Sequence, residues 1–318
     1  VVTLIPLDDL GVEGNEIAIL TLLTGSDYSL GATTSATVTI TDNDRNGTSG
    51  NDTLTGDAGN NLLNGLDGND TLNGGTGNDI LDGGAGNDVL VGGAGADSPD
   101  GGVGTDTLSY SGSATGVTIN LATNTASGGD ASGDTITNLE NVTGSNGDDN
   151  LTGNAGNNTL SGGIGNDTLI GDAGNDSLVG GDGNDSLVGG AGKDTLTGCA
   201  GIDQFRLNLL SDSLLASFDR LTDYTLGDLI DAPATLTPTP VTLTAASGNA
   251  TSLSTAALQL VLTTGVFTAN SARAFTVTGQ TGTFIALNDG TAGFNAATDG
   301  ILHLQNYTIS TTNTVTLV

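Results

Sequence analysis

Residues 74–93 read GGTGNDILDGGAGNDVLVGG, one nine-residue phrase stated twice. Each copy spends glycine freely, places one aspartate (Asp79, Asp88) and sets a leucine two positions later (Leu81, Leu90). The residues around that leucine read as a very short strand with its apolar side chain turned inward. One unit cannot bury its leucine alone. Stacked units can, because adjacent strands lie about 4.8 Å apart and their leucines then form a continuous ladder. The spacing predicts an all-β solenoid.

The same period runs through residues 47–109 as GTSGNDTLT, GDAGNNLLN, GLDGNDTLN, GGTGNDILD, GGAGNDVLV, GGAGADSPD and GGVGTDTLS. It stops, then resumes through residues 144–206 as GSNGDDNLT, GNAGNNTLS, GGIGNDTLI, GDAGNDSLV, GGDGNDSLV, GGAGKDTLT and GCAGIDQFR. Position six supplies Asp52, Asp70, Asp79, Asp88, Asp97 and Asp106 in the first block. In the second it supplies Asp149, Asp167, Asp176, Asp185, Asp194 and Asp203. The second unit of each block carries Asn instead, at Asn61 and Asn158, a shared exception that suggests one block is a copy of the other.

Stacking brings these carboxylates close together. Two unit charges near a protein surface repel by roughly 4 kcal/mol at 4 Å. A file of aspartates therefore calls for cations between successive loops. Carboxylate and carbonyl oxygens, without histidine or thiolate, select calcium over zinc or copper. Glycines at positions one and four are expected to take φ > 0 and aim carbonyls at the ion.

The pattern GGxGxDxUx resembles the repeat of RTX (hemolysin-type) calcium-binding proteins. The resemblance implies a right-handed parallel β-roll with two nonapeptides per turn, and Ca²⁺ held between units n and n+2. Seven units then give five such sandwiches per block, ten in all. Residues 47–206 carry 22 acidic and two basic residues, a net −20 that ten Ca²⁺ would offset. Asn61 and Asn158 bring no charge, so their sites are expected to be weaker. Pro99 replaces a core leucine and removes a strand N–H, which marks a defect and a less tight site at Asp97. Without calcium, high charge and few hydrophobes leave such a tract disordered.

Residues 110–143 lose the period but keep β character, through Val117, Ile119 and Leu121 and then Ile136, Leu139 and Val142. This is similar to the insert that joins RTX blocks, a wider solenoid turn with a loop at 127–133; Asp130 and Asp134 are read as solvated loop charges, the alternative being that they bind a further ion. Residues 1–46 resemble the last half of a Calx-β sandwich. On that resemblance Asp8, Asp9, Glu13, Asp42 and Asp44 are candidate calcium ligands, alongside the plain alternative that they cap strand ends. Residues 207–318 read as a small β domain. Asp219, Asp223, Asp228 and Asp231 are placed to cap the last turn, STAALQLVL is a candidate helix, and strands are expected around ARAFTVTG, GTFIALNDG and DGILHLQNY. This part resembles the bluetail domain of large cyanobacterial surface proteins, and its tail, ISTTNTVTLV, is compatible with a type I secretion signal or an edge strand.

Composition narrows the function. The chain has 318 residues, 52 Gly, five Lys plus Arg and a net charge of −31, so it lacks the basic surface that nucleic acid or an anionic membrane requires. No apolar run approaches the roughly 18 residues of a membrane span. The one cysteine, Cys199, builds no internal disulfide and reads as a small residue replacing glycine. The one histidine, His303, has a surface or packing role; neither GxSxG nor HExxH occurs. The expected function is a non-enzymatic, calcium-dependent structural module of a large secreted or cell-surface bacterial protein, folded after export by the type I secretion apparatus. The rival readings are an adhesin or surface-layer component, which takes cell-surface partners, and the export tail of an enzyme encoded upstream.

Overall fold

The computed structural model describes residues 16–21, 35–40, 44–207, 218–225, 228–231, 241–243, 249–250, 272–277, 280–287, 299–305 and 315–317. Residues 47–206 form a solenoid in which each nonapeptide contributes one short strand and consecutive strands fall on alternate faces. The first face starts with Thr53–Thr55, Thr71–Thr76, Val89–Ala94 and Thr107–Ser109. It continues through Asn141–Thr143, Thr159–Ile164, Ser177–Asp182 and Thr195–Ala200 without a break. The pairing is parallel, with Leu72 opposite Leu90 and Leu160 opposite Leu178, an offset of 18 residues or two units.

The opposite face has two parts. Leu62–Asn64, Ile80–Asp82 and Ser98–Asp100 stack in the first block. Asn150–Thr152, Thr168–Ile170, Ser186–Val188 and Gln204–Arg206 stack in the second. The interruption is the insert, whose Thr118–Asn120 turns back through Thr125–Ser127 as a hairpin and pairs with Asn150–Thr152. A single 3-10 turn, Gly129–Ala131, lies in the expected loop, and Val117, Ile119, Leu121, Ile136, Leu139 and Val142 are all buried.

Leucines hold the two faces together. Leu63, Leu72, Leu81, Leu90, Leu108, Leu151, Leu160, Leu169, Leu178 and Leu187 are completely buried in one continuous core. Burying one such side chain is worth roughly 1.5–3 kcal/mol, and only a neighbouring coil on each side completes the burial. Pro99 does not break this order. It sits buried opposite Leu81, and its carbonyl accepts from Thr137 N at 3.1 Å. N–H and C=O of one residue share a side in a parallel strand, so the missing donor faces the insert, where the regular ladder has already ended.

The coil continues past the repeats. Asp219–Leu221 pairs with Thr195–Ala200, and Leu229–Asp231 with Gln204–Arg206. The three expected C-terminal strands are present as Ala272–Val277, Thr283–Leu287 and Gly300–Leu304, and extend the first face into one 13-stranded sheet. Val315–Leu317 lies between Leu229–Asp231 and Val241–Leu243, so that part of the tail is an interior strand and not an edge. His303 packs inside, its ring stacked on Phe284 at 4.2 Å, and burial lowers its pKa. At the other end Glu16–Thr21 and Ser35–Ile40 form an antiparallel pair. The candidate helix STAALQLVL lies outside the described residues. Among those described, no helix is long and apolar enough to cross a membrane.

Candidate metal centre

Positions one to six of each unit carry the chain from one leucine rung to the next, and the glycines there divide the labour in a way the repeat alone does not disclose. Positive φ falls at positions two and four, as at Gly84 (94°) and Gly86 (145°), and not at positions one and four as expected. Where position two is not glycine it can still be left-handed, at Leu66, Asp172 and Cys199. Position one needs glycine for room. A Cβ on Gly83 would lie 2.6 Å from Asp88 Oδ2 and 2.6 Å from the carbonyl oxygen of Gly101, two units on. Carboxylate and carbonyl oxygens thus converge on the space that a side chain would fill.

Position six forms a buried ladder. Asp88 Oδ1 accepts from the backbone N–H of Asp70 at 2.7 Å, and Asp106 Oδ1 from that of Asp88 at 2.8 Å. The second column of the block repeats this, Asn61 donating to Asp79 and Asp79 to Asp97. In the second block Asp149 donates to Asp167, Asp167 to Asp185 and Asp185 to Asp203, while Asn158 donates to Asp176 and Asp176 to Asp194. Asp52 is half-buried and every other position-six side chain is buried.

The ladder then runs on through residues outside the repeat. Asp97 N–H donates to Asp134 and Asp106 N–H to Glu140. Asp194 N–H donates to Asp219 and Asp203 N–H to Asp228, which places those two at the last turn as expected. Asp223 accepts from Gly198 and Cys199, and Asp231 from Arg206. Asp134 is therefore not a solvated loop charge: its second oxygen takes the Tyr110 hydroxyl at 2.8 Å. Glu140 escaped the sequence reading because the period is lost there.

A second ladder runs the opposite way. Position-five asparagine accepts from the same position two units later: Asn51 from Asn69, Asn69 from Asn87, and Asn87 from Thr105. Asn166 and Asn175 act alike towards Asn184 and Lys193. Each turn is thus tied to its neighbours by side chains reaching in both directions, which explains the recurrent Asn-Asp pair.

What the aspartates lack is a partner for the other oxygen. Oδ2 of Asp70, Asp79, Asp88, Asp97, Asp106, Asp167, Asp176 and Asp185 is buried with no hydrogen bond. An unpaired buried carboxylate oxygen is costly, and in water-free surroundings the acid protonates instead. Burial accordingly pushes Asp79, Asp106, Asp176 and Asp203 up to about 6 and Asp167 up to about 7, and raises Asp88, Asp97 and Asp185 as well. Asp134 is raised to about 6 for the same reason. A hard divalent cation relieves this cost, since it takes carboxylate and carbonyl oxygens, and these turns offer both. No group of three or more His, Cys, Asp or Glu side chains converges among the described residues. That is the expected arrangement when each coil contributes one carboxylate and the backbone supplies further oxygens.

The profile of the RTX calcium-binding nonapeptide repeat (4 copies) matches residues 46–81, 73–108, 143–178 and 170–205. The two blocks are RTX calcium-binding nonapeptide repeats. Ca²⁺ binding is implied by these RTX repeats, and the orphaned oxygens on the two ladders suit it. The search of curated proteins found no match.

Other expected ligands stand elsewhere. Asp44, assigned above to a Calx-β-like tip, belongs to the roll: it is buried, and its Oδ1 accepts from the N–H of Leu62. Asp8, Asp9, Glu13 and Asp42 lie outside the described residues. Asn61 and Asn158 are not simply weaker copies of aspartate. Asn61 Oδ1 accepts from Asp57 N–H at 2.8 Å, and Asn158 donates to the carbonyl of Glu140 at 2.7 Å.

Proposed function

We propose that this chain is a calcium-folded structural module of a secreted or cell-surface protein, with no catalytic role of its own. The observation that carries the reading is the row of eight buried Oδ2 atoms without hydrogen-bond partners. Calcium, when bound, supplies the positive charge between coils. The position-six carboxylates whose second oxygen has no donor accept it, position-one glycines leave it room, and the leucines lock each coil onto the next. Where calcium is scarce these residues hold like charges together without relief, and the tract stays unfolded and fit to pass through a narrow exporter of the type I kind. Outside the cell, where extracellular calcium modules work with Kd of about 10⁻⁴–10⁻³ M, binding free energy becomes folding free energy.

The test is circular dichroism of the full chain, titrated with calcium and separately with magnesium. Calcium should convert coil to β signal at concentrations where magnesium does not, since magnesium dehydrates reluctantly and demands a smaller, octahedral cage. A full β signal in excess chelator at pH 8, where the carboxyl groups are ionised, would overturn the proposal.

A further inference from the structure

The fourteen turns fall into two conformations. In ten of them position two is left-handed, whether Gly, Leu66, Asp172 or Cys199. In the remaining four it is not, and these are the first two turns of each block, with Thr48, Asp57, Ser145 and Asn154 at that position. There the position-two side chain accepts from the N–H of the position-four glycine: Gly50 to Thr48, Gly59 to Asp57, Gly147 to Ser145 and Gly156 to Asn154, at 2.8–3.3 Å. The N–H of position two in turn donates to the position-six side chain of its own unit, at 2.6 Å for Asp52, 2.8 Å for Asn61 and 2.7 Å for Asp149 and Asn158. The side-chain oxygen that is orphaned in eight of the ten left-handed turns is therefore satisfied in these four.

We infer that the two leading turns of each block are closed by their own hydrogen bonds and take up no cation, so that calcium uptake begins at the third unit, with Asp70 and Asp167. Position two is the determinant. A hydroxyl, amide or carboxylate there, in right-handed or extended backbone, builds a Ser/Thr- or Asx-type turn that competes for the glycine N–H and draws the position-six oxygen inward. Glycine there leaves that oxygen without a donor. The closed turns also account for Asn61 and Asn158. A neutral amide supplies the one acceptor that such a turn needs, and there is no cation for it to fail.

This inference rests on the proposed calcium binding, and the experiment separates the two. Calcium bound per full-length chain is measured by equilibrium dialysis for the wild type, Asp52→Asn, Asn61→Asp and Asp70→Asn, with circular dichroism in saturating calcium to establish that each variant folds. Asp52→Asn keeps the amide oxygen that receives Thr48 N–H and should retain the wild-type number. Asn61→Asp should gain none, whereas Asp70→Asn should lose at least one. A loss in Asp52→Asn equal to that in Asp70→Asn, or a gain in Asn61→Asp, would overturn the inference. A wild type that binds no calcium would overturn the proposed function itself. Should Asp70→Asn not fold, Asp167→Asn, its counterpart in the second block, replaces it with the same expectation.

Discussion

Replacing Gly83 by alanine isolates the role of the space at position one. A Cβ there would sit 2.6 Å from both Asp88 Oδ2 and the Gly101 carbonyl oxygen, and 3.1 Å from Asp88 Cβ. The backbone of Gly83 has no left-handed φ, so the substitution carries no dihedral strain and reports on space alone. Ordinary contact begins at about 3.4 Å, so carboxylate and carbonyl must each retreat by most of an ångström. Overfilling a packed site typically costs about 1–3 kcal/mol. Gly112→Ala is the control: nothing lies within 4 Å of its Cβ position, and it too lacks a left-handed φ. Removing glycine from a compatible site stabilises by roughly 0.4–1 kcal/mol through the unfolded chain. Urea unfolding in saturating calcium should therefore move in opposite directions for the two variants. Equal stability of Gly83→Ala and wild type, or equal loss in both variants, would refute the claim that position one is glycine for lack of room.

The raised carboxyl groups predict a pH dependence. Folded pKa values of about 6 to 7 at Asp79, Asp106, Asp167, Asp176 and Asp203 exceed the ordinary 3.8. In chelator, protonation therefore favours the folded roll fully below about pH 4, and that support is lost as pH rises through 6–7; circular dichroism should show β signal growing on acidification. With calcium the dependence inverts, and affinity measured by calorimetry should rise between pH 5 and 8 as protons cease to compete. Leu90→Ala removes a fully buried rung and should cost about 2–5 kcal/mol in urea unfolding. Asp134→Ala strips acceptors from Asp97 N–H and the Tyr110 hydroxyl; an unfolding loss of about 1–3 kcal/mol per stranded donor is expected, with Tyr110→Phe costing less.

The roll was legible in the sequence because its two strongest signals are local and periodic. Leu72 and Leu90 announce a rung each, and an 18-residue offset follows once two units make a turn. Asp70 and Asp88 announced a shared column for the same reason. The glycines were misread at position one, since a one-dimensional pattern shows that glycine recurs but not whether it serves a dihedral or a gap. The Asn69–Asn87 ladder went unseen because its acceptor meets a backbone N–H, which leaves no sequence trace at the partner. Asp134 and Glu140 were hidden by the insert, which carries 37- and 34-residue connections where the repeat uses 18. Asp44 was assigned to the wrong neighbour, because an acidic cluster at the end of a strand carries no mark of which fold it joins.

A crystal structure grown with calcium, phased on the anomalous signal of the ion, bears most directly on the central claim. Anomalous peaks should lie against the second carboxylate oxygen of Asp70, Asp79, Asp88, Asp167, Asp176 and Asp185. An intact coil with no such peaks, and with those oxygens bonded to water or to backbone donors, would contradict it.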